Sequence, residues 1–339
     1  MKKKIAILGS TGSIGSTTLE IILKNKFFFQ IDLLSTNKNI NKLKKQVKIF
    51  SVKNVIIHDP NIFNQNKFFF KRKKINIFNN VKDFKKYYKG KLDYVMSSII
   101  GLNGLEPTLD IIQITKRIAI ANKESIICGW NLIKKKLDKH NTKFIPIDSE
   151  HFSIFELIKH EKPSTIKKIY ITASGGPFLK TSKSKLSKFI PQNAIKHPTW
   201  KMGKKISVDS STLINKIYEL IEAKKIFNLG YEKFEIIIQP TSYVHAIVEF
   251  KNGICKILSH PTSMRIPIYN SLLFTKKISD LYESFDIKKM NNLNFQKVDR
   301  LKFPVFKLLN RLNNFDSLYE TILVSANDSL VDLFLKKKN

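Results

Sequence analysis

Short apolar segments alternate with segments of helical periodicity through the first part of the chain. The apolar segments, which predict buried strands, are 4–8, 29–34, 55–57, 93–98 and 117–121. Helical patterns at 17–23 and 107–114 lie between them. Strands separated by helices predict βαβ units and therefore a doubly wound parallel sheet. The stretch 61–80 has no regular period, and we expect an irregular loop excursion there.

The later part of the chain has a different pattern, in which strand-like segments follow one another closely. These segments are 166–172, 233–239, 244–250 and 254–258. Asn252-Gly253 is typical of a tight hairpin turn, so we expect a second, partly antiparallel sheet that backs an active site or pairs subunits. Helical patterns at 305–312 and 316–335 follow.

These patterns predict an α/β protein with a Rossmann-like parallel sheet, a second α+β catalytic domain with its own sheet, and a short C-terminal helical part. A length of 339 residues is sufficient for two or three cores. The predicted boundaries are 1–147 for the domain with the parallel sheet, 148–265 for catalysis and dimerisation, 266–300 for a connecting segment and 301–339 for the helical part.

The composition of the chain indicates the cellular compartment in which the protein is expected. An apolar fraction of 42% is typical of globular proteins, and no apolar run is long enough to cross a bilayer. Cys128 and Cys255 are too few for a disulfide framework, and the first apolar segment stops at Gly9 rather than continuing as a signal peptide. We therefore expect a reduced, cytoplasmic protein that is not associated with a membrane.

The net charge of +33, from 60 Lys and Arg against 27 Asp and Glu, has two interpretations. One is a nucleic-acid or acidic-membrane partner. The lysines are, however, scattered along the chain rather than gathered into one stripe, which favours compositional drift. On that interpretation the positive field steers a small phosphorylated substrate, and no nucleic-acid partner is expected.

A glycine-rich turn follows the first strand. Gly9, Gly12 and Gly15 have the spacing Gly-x-x-Gly-x-x-Gly, and a helical pattern begins directly afterwards. This is the dinucleotide-binding arrangement, in which a helix N-terminus attracts the pyrophosphate, although an ordinary βα turn is the alternative. The second strand ends at 35–39 in hydroxyls, amides and Lys38, without the carboxylate that favours NAD. The predicted cofactor is therefore NADPH.

Asp148 and Glu150 follow the strand-like segment 143–147 with one residue between them. Two neighbouring carboxylates repel each other if they are buried without a cation. Oxygen ligands suit magnesium or manganese better than zinc, so the pair predicts a divalent metal site. A solvated helix start is the alternative interpretation.

A helix start rich in capping hydroxyls is predicted at 207–212. On the helix that follows, Asn215 and Glu219 are four residues apart and share a face, with Lys216 beside them. Glu219 is predicted to complete the metal site, while Lys216, the amide and the hydroxyls are predicted to bind a phosphate. A surface i,i+4 pair is the alternative.

Three further segments are expected near a ligand. Asn122-Lys123 and Ser174-Gly175-Gly176 each follow a predicted strand, and the segment from His197 to Gly203 contains Trp200 in a polar loop that closes over a ligand. The alternatives are helix capping at Asn122-Lys123, an ordinary tight turn at Ser174-Gly175-Gly176, and a role as core anchor for Trp200.

Together these motifs resemble the 1-deoxy-D-xylulose 5-phosphate reductoisomerase family of the methylerythritol phosphate pathway of isoprenoid synthesis. The matching stretches follow the family's order and cover roughly four-fifths of the chain. They are Gly9-Ser10-Thr11-Gly12-Ser13-Ile14-Gly15, Ala121-Asn122-Lys123-Glu124-Ser125, Pro146-Ile147-Asp148-Ser149-Glu150-His151, Ser174-Gly175-Gly176-Pro177-Phe178, His197-Pro198-Thr199-Trp200-Lys201-Met202-Gly203, Lys205-Ile206-Ser207-Val208-Asp209-Ser210, Asn215-Lys216 and Glu219.

The resemblance implies an NADP-dependent oxidoreductase that isomerises and reduces 1-deoxy-D-xylulose 5-phosphate to 2-C-methyl-D-erythritol 4-phosphate, as a homodimer. It implies NADPH and Mg²⁺, Mn²⁺ or Co²⁺ as cofactors. The residues that it places on NADPH are Thr11, Gly12, Ser13, Ile14, Asn37, Lys38, Asn39, Asn122, Glu124 and Gly203. Those that it places on the substrate are Lys123, Ser149, Glu150, Ser174, His197, Ser210, Asn215, Lys216 and Glu219. The catalytic residues among these are Lys123, Glu150, His197 and Glu219, and the metal ligands are Asp148, Glu150 and Glu219.

The sequence departs from the family pattern in three places. Ile217 stands where the family usually has Gly, and Asn37 stands where the cofactor loop usually has Gly. Asn327-Asp328 matches an early part of the family's C-terminal helical bundle, of which we expect about half, with consequences for stability or closure. Two alternatives therefore stay open: an NADP-binding fold recruited to nucleic acid, and another NADP-dependent sugar-phosphate oxidoreductase.

Overall fold

The computed structural model describes residues 1–200, 202–273, 286–315 and 317–336. These residues form two compact units. The first unit contains 1–148 and 264–273, and the second contains 149–263 and the described residues from 286 onward. The predicted helix at 316–335 and the predicted connecting segment at 266–300 each fall partly outside the described residues.

The first unit alternates strands and helices. Its strands are β1 (Lys3–Leu8), β2 (Phe29–Thr36), β3 (Asn54–Ile57), β4 (Asn76–Phe78), β5 (Tyr94–Ser97), β6 (Arg117–Ile120) and β7 (Lys143–Pro146). Its helices up to Asp148 are α1 (Ser13–Lys24), α2 (Ile40–Phe50), α3 (Pro60–Arg72), α4 (Val81–Tyr87), α5 (Leu105–Ile112) and α6 (Lys123–His140), with a 3₁₀ turn at Leu102–Gly104.

Within the described residues, the seven strands of this unit pair in parallel in the order β4-β3-β2-β1-β5-β6-β7. The order reverses direction between β1 and β5, which is where a doubly wound sheet opens a crevice for ligands. The predicted α/β class with a Rossmann-like parallel sheet is confirmed. The central strands are buried on both faces, since Ile5, Ile7 and Val95 are each 0% exposed. This burial explains why these strands are continuous apolar runs in the sequence.

The expectation of an irregular loop at 61–80 is wrong, because α3 and β4 occupy most of it. Asp59 caps α3 by accepting hydrogen bonds from the backbone N–H groups of Asn61 and Ile62, both at 3.0 Å. Phe68 is 71% exposed whereas Phe70 is fully buried. An apolar side chain on the solvent face breaks the helical periodicity that sequence reasoning relies on.

The second unit begins with helix α7 and continues with a mixture of helices and strands. Its elements up to Ser263 are α7 (Ser149–Ile158), a 3₁₀ turn at Pro163–Thr165, β8 (Ile166–Ala173), a 3₁₀ turn at Lys183–Lys188, α8 (Pro191–Ala194), α9 (Lys204–Ser211), α10 (Ile214–Phe227), a 3₁₀ turn at Tyr231–Lys233, β9 (Phe234–Ile238), β10 (Val244–Phe250) and β11 (Cys255–Ser259).

Of the remaining elements, one belongs to the first unit and the others to the second. They are α11 (Arg265–Ser271) in the first unit, and α12 (Ile287–Asn291), β12 (Gln296–Lys297), a 3₁₀ helix at Pro304–Arg311 and α13 (Tyr319–Leu335) in the second. Helix α11 is anchored in the first unit by a 2.7 Å hydrogen bond between the hydroxyls of Tyr94 and Ser271. Part of the predicted connecting segment therefore packs into the first unit. The predicted helix at 305–312 is a 3₁₀ helix rather than an α-helix.

Five of the described strands form the second sheet, in the order β11-β10-β8-β9-β12. Strands β8 and β9 are parallel, and the other neighbouring pairs are antiparallel. The predicted partly antiparallel sheet is confirmed, including the hairpin between β10 and β11, where Gly253 has a φ of +86°. In the described part of the chain, the helices are all too short or too polar to cross a membrane.

The hydroxyl-rich segment 207–212 does not begin a helix as predicted. It forms the end of α9, and α10 begins two residues later, after Leu213 with a φ of +63°. The hydroxyls bond back to carbonyl oxygens of their own helix, as Ser211 does to Val208 at 2.7 Å. Hydroxyl side chains satisfy carbonyls at a helix end as readily as they cap a helix start, and composition alone does not separate the two cases.

Candidate active site

In the glycine turn of the first unit, Gly9 to Gly15, two backbone segments approach each other closely. Gly9 has a φ of +78°, and a Cβ atom on Gly15 would lie 2.5 Å from the Gly9 carbonyl oxygen. Gly12 stands at the N-cap of α1. The turn therefore presents the backbone N–H groups of this helix start to an anion, and the predicted NADPH residues Thr11, Gly12, Ser13 and Ile14 all lie in it.

Hydroxyls line the end of β2, where a ribose 2′-phosphate is predicted. The hydroxyls of Thr11 and Thr36 are hydrogen-bonded to each other at 2.8 Å. Asn39 caps α2, and Lys38 is exposed with its ammonium 3.8 Å from the Asp59 carboxylate. Asn37 lies between these groups and is exposed.

Asn122 fixes the start of α6. Its amide donates hydrogen bonds to the carbonyl oxygens of Ile99 and Gly101, and its oxygen accepts one from the backbone N–H of Ser125 at 2.7 Å. Glu124 is buried in the first turn of the same helix. Asn122 thus holds two loops of the sheet edge together, which is a scaffolding role that sequence reasoning did not assign to it.

Three carboxylates converge around the start of α7. Asp148 directly precedes this helix, Glu150 lies in its first turn, and Glu219 lies on α10. Their ligand atoms lie within 4.8 Å of one another. Glu150 and Glu219 are only 8% and 2% exposed. Because buried like charges destabilise one another, a group of this kind needs positive charge beside it.

Two lysines supply positive charge in the present arrangement. The Lys123 ammonium is 2.5 Å from Asp148, and the Lys216 ammonium donates to Glu150 and, at 2.6 Å, to Glu219. Asn215 donates to Glu219 at 2.5 Å, while its buried Oδ1 atom has no hydrogen-bond partner among the described residues.

The donor set suits a divalent cation. Oxygen atoms on opposite sides of Mg²⁺ or Mn²⁺ are about 4.2 Å apart, which is compatible with the spacing of the three carboxylates. Three carboxylates with an amide oxygen nearby form an all-oxygen set of the kind that such ions prefer. The residues present therefore fit the predicted metal, while Ser149 supports the set by donating a hydrogen bond to Glu150.

Two of the predicted phosphate-binding segments of the second unit are in contact. Gly176 has a φ of +67°, and a Cβ atom there would lie 2.6 Å from the Ser210 carbonyl oxygen. The turn after β8 is thus packed directly on the end of α9. Ser174 lies in this turn, and Asn215 and Lys216 begin α10 just after α9.

His197 is bonded in one orientation. Its Nδ1 atom accepts hydrogen bonds from the backbone N–H groups of Thr199 and Trp200, at 3.2 and 3.0 Å. Burial, and next the positive charge of Lys216, lowers the pKa of His197 to about 4. The ring is therefore neutral near pH 7, and its proton lies on Nε2, which donates to the Ser174 hydroxyl at 3.1 Å. Ser174 in turn keeps its own hydrogen available for a ligand.

Two buried histidines near these residues were missed by sequence reasoning. His151 Nε2 is 2.8 Å from the Glu219 carbonyl oxygen, so this ring connects α7 to α10. His245 stacks on His260 with ring centroids 3.7 Å apart and lies edge-on to Trp200. The available signals were a His directly after Glu150 and a His inside a mostly apolar strand, where it is expected to be buried.

Gly203, the last predicted NADPH residue, is the N-cap of α9 with a φ of −66°. A Cβ atom there would meet nothing within 4 Å, so the position is open rather than packed.

Comparisons with known proteins agree with these observations. The family model described as 1-deoxy-D-xylulose 5-phosphate reductoisomerase matches residues 5–129, and two models of that enzyme's C-terminal domain match 144–227 and 258–339. A protein of that name from Pelagibacter ubique is 56% identical over 338 residues, which cover 99% of this chain and 87% of the relative. Another from Clostridium novyi is 38% identical over 336 residues, covering 98% and 87% respectively.

Solved structures of high similarity have the same name. The Zymomonas mobilis enzyme in complex with NADPH has a TM-score of 0.89 and 33% identity, and the match covers 100% of this chain and 88% of that chain. A reductoisomerase with NADPH, fosmidomycin and magnesium has a TM-score of 0.90 and 30% identity, with coverages of 99% and 85%. Since its relatives are this similar over nearly its whole length, the chain belongs to the 1-deoxy-D-xylulose 5-phosphate reductoisomerase family.

Proposed function

We propose that the chain carries out its family's reaction with the carboxylate cluster and the serine-rich phosphate site described above. The reaction is the NADPH- and divalent-metal-dependent isomerisation and reduction of 1-deoxy-D-xylulose 5-phosphate to 2-C-methyl-D-erythritol 4-phosphate. Family membership favours it over another sugar-phosphate oxidoreductase and over a nucleic-acid-binding fold. The observation that carries the assignment is the convergence of Asp148, Glu150 and Glu219.

These three carboxylates are assigned to the divalent metal, which is Mg²⁺, Mn²⁺ or Co²⁺. Bound there, the ion supplies a positive centre that stabilises negative charge on substrate oxygen atoms during rearrangement of the carbon skeleton. Ser149 orients Glu150 by its hydrogen bond, and Asn215 orients Glu219. Both carboxylates are buried, so their positions are held by packing as well as by charge.

The substrate phosphate is assigned to Ser174, Ser210, Asn215 and Lys216. Lys216 supplies the positive charge, and Ser174 supplies a hydroxyl hydrogen because His197 and the Gly176 N–H already donate to its oxygen. An anchored phosphate keeps the two fragments of a broken carbon chain in place, so that they recombine rather than diffuse away.

His197 and Lys123 are assigned to the oxygen atoms of the substrate. A neutral His197 presents an Nε2–H donor at neutral pH, because burial lowers its pKa to about 4. Lys123 is a cation at the start of α6 and contacts Asp148 in the present arrangement. Both groups donate hydrogen bonds, which suits a substrate rich in hydroxyl and carbonyl oxygens.

NADPH is assigned to the first unit through its glycine turn and the end of β2. Thr11, Gly12, Ser13 and Ile14 surround the pyrophosphate at the start of α1. The further cofactor residues of this unit are Asn37, Lys38, Asn39, Asn122 and Glu124. For Gly203, which belongs to the second unit, the cofactor role stays a prediction of the family resemblance.

A homodimer in the cytoplasm is part of the proposal. Strand β11 lies at an edge of the second sheet and exposes Ile257, with Ile254 exposed just before it. An apolar edge strand is stabilised by pairing with another strand, here one from a second copy. Two cysteines in 339 residues are too few for a disulfide framework, which suits a reducing compartment. Light scattering on the purified protein tests the dimer, with a monomer as the contradicting result.

The function is tested by steady-state NADPH oxidation in the presence of 1-deoxy-D-xylulose 5-phosphate, with and without Mn²⁺. We expect turnover that requires both the substrate and the metal. Glu219→Gln is expected to lower metal-dependent turnover by about a hundredfold or more while NADPH binding is kept. Glu161→Gln, which changes a surface carboxylate paired with Lys256, is the matched control. Metal-dependent turnover of Glu219→Gln at the rate of the unmodified chain would contradict the assignment.

A further inference from the structure

We propose that Lys42, rather than Lys38 alone, recognises the 2′-phosphate of NADPH and makes the chain discriminate against NADH. This inference rests on the proposed use of NADPH and adds a residue that neither the family motifs nor the predicted cofactor loop includes.

Lys42 is directed toward the glycine turn. It lies in the first turn of α2, where its backbone N–H donates to the capping Asn39 side chain at 3.2 Å. Its ammonium donates to the carbonyl oxygen of Thr11 at 3.0 Å. A lysine held on a carbonyl in this way has a defined direction, and two of its three N–H donors are not engaged by this contact.

The surroundings of this ammonium are those of a 2′-phosphate site. Thr11 also bonds through its hydroxyl to Thr36, the last residue of β2. The tip of the second strand is where a dinucleotide-binding sheet receives the adenosine ribose. A cation and two hydroxyls there provide the donors that a phosphomonoester requires, and a carboxylate for the 2′-hydroxyl of NADH is missing from 35–39.

Lys38 is less well placed for the same task. Its side chain is 74% exposed, and its ammonium lies 3.8 Å from the Asp59 carboxylate. Its charge is therefore partly countered, and its position is less restricted than that of Lys42. His58, at the end of β3, adds no positive charge near pH 7 because burial lowers its pKa.

The position of Lys42 also admits a competing role, since Thr11 belongs to the pyrophosphate turn. A contact with the pyrophosphate would strengthen NADPH and NADH equally, whereas a contact with the 2′-phosphate strengthens NADPH alone. The ratio of the two affinities separates these roles, and it separates both from a structural role of Lys42.

The test measures dissociation constants of NADPH and NADH by calorimetry, without substrate or metal, on the full chain. Lys42→Gln is expected to weaken NADPH binding by about 10- to 100-fold, with NADH binding unchanged. Lys38→Gln is expected to weaken NADPH less. Lys45→Gln, which removes an exposed lysine one turn further along α2, is the matched control and is expected to leave both constants unchanged. Lys42→Arg keeps the charge and is expected to restore the preference for NADPH.

Equal losses of NADPH and NADH affinity in Lys42→Gln, or no loss of either, would overturn the proposal. The nucleotides 2′-AMP and 5′-AMP serve as smaller probes, and only 2′-AMP is expected to lose affinity in the variant. Equal affinity of the unmodified chain for NADPH and NADH would overturn the NADPH assignment as well. If the metal and substrate assignments are wrong, the turnover assays show it, whereas the ratio of the NADPH and NADH dissociation constants does not depend on them. A failure of the proposed function is therefore distinguishable from a failure of the Lys42 proposal.

Discussion

The glycine turn of the first unit and the carboxylate cluster of the second are built on opposite principles. The turn depends on backbone sterics, since Gly15 leaves no room for a Cβ atom beside Gly9. The cluster depends on charge, since Glu150 and Glu219 are buried beside the ammonium of Lys216. A site made of backbone keeps its shape under all conditions in which the fold persists, whereas a site made of buried charges responds to metal, to pH and to each partner.

Lys216→Met is expected to have the largest effect on the metal-free protein. It removes the ammonium between two buried carboxylates, so the free energy of unfolding should fall by about 4 kcal/mol. A divalent metal should recover most of this loss because it supplies the same positive charge, while turnover stays low because the phosphate ligand is gone. Urea unfolding with and without Mn²⁺ measures the effect, and Lys167→Met at an exposed pair is the control. Equal stability of the variant and the unmodified chain without metal would contradict the charge-balance account.

Gly15→Ala tests the backbone side of the comparison. The added Cβ atom would lie 2.5 Å from the Gly9 carbonyl oxygen, and backbone cannot move away as a side chain does. We expect a loss of about 3 kcal/mol in unfolding free energy together with weaker NADPH binding, and added metal should not recover either. Gly12→Ala meets the same oxygen at an ordinary 3.4 Å and is expected to be much less destabilising. Similar losses in the two variants would show that the close approach is unimportant.

The stability of the second unit should also respond to pH through a buried histidine. Burial, and next the neighbouring His260, lowers the pKa of His245 to about 3, against 6.5 in an unfolded chain. As pH falls from 7 to 5 the unfolded chain gains a proton that the folded chain does not, so stability is lost. The expected loss is about 2 kcal/mol for this group, and His245→Gln should flatten the profile. An identical pH profile for His245→Gln in chemical denaturation would contradict this assignment.

A smaller effect is expected at the contact between α13 and α9. Asp209 is 2% exposed, and it accepts hydrogen bonds from Asn327 at 2.8 Å and from Lys205 at 3.1 Å. Asn327→Leu removes one donor from a buried carboxylate and should cost about 1 kcal/mol. It should also raise the KM for the sugar phosphate, because Ser210 follows Asp209 directly. Asp332→Asn breaks an exposed ion pair on the same helix, and a KM change of equal size there would contradict the coupling.

The same contrast explains how much of the molecule could be predicted from the sequence. The parallel sheet and the glycine turn are encoded locally, by apolar runs and by spacing within a few residues. The α3 helix was missed because Phe68 and Phe69 face solvent, and 207–212 was assigned to the wrong helix end because hydroxyls serve both ends.

The candidate site was only partly accessible to the same reasoning. The acidic residues were found because Asp148 and Glu150 are neighbours and because the motifs resemble a known family. The ion pair between Lys216 and Glu150 spans 66 positions, and no local pattern predicts such a contact. The roles of His151 and His245 likewise depend on groups brought near by the fold, namely the Glu219 carbonyl and the His260 ring.

The most direct test of the central claim is the binding of Mn²⁺ to the purified chain, followed by calorimetry or electron paramagnetic resonance. The account predicts one Mn²⁺ per chain, and an affinity reduced about a hundredfold in each of Asp148→Asn, Glu150→Gln and Glu219→Gln. NADPH binding should be unchanged in all three variants. Undiminished binding of one Mn²⁺ by these variants would contradict the claim that the three carboxylates hold the ion.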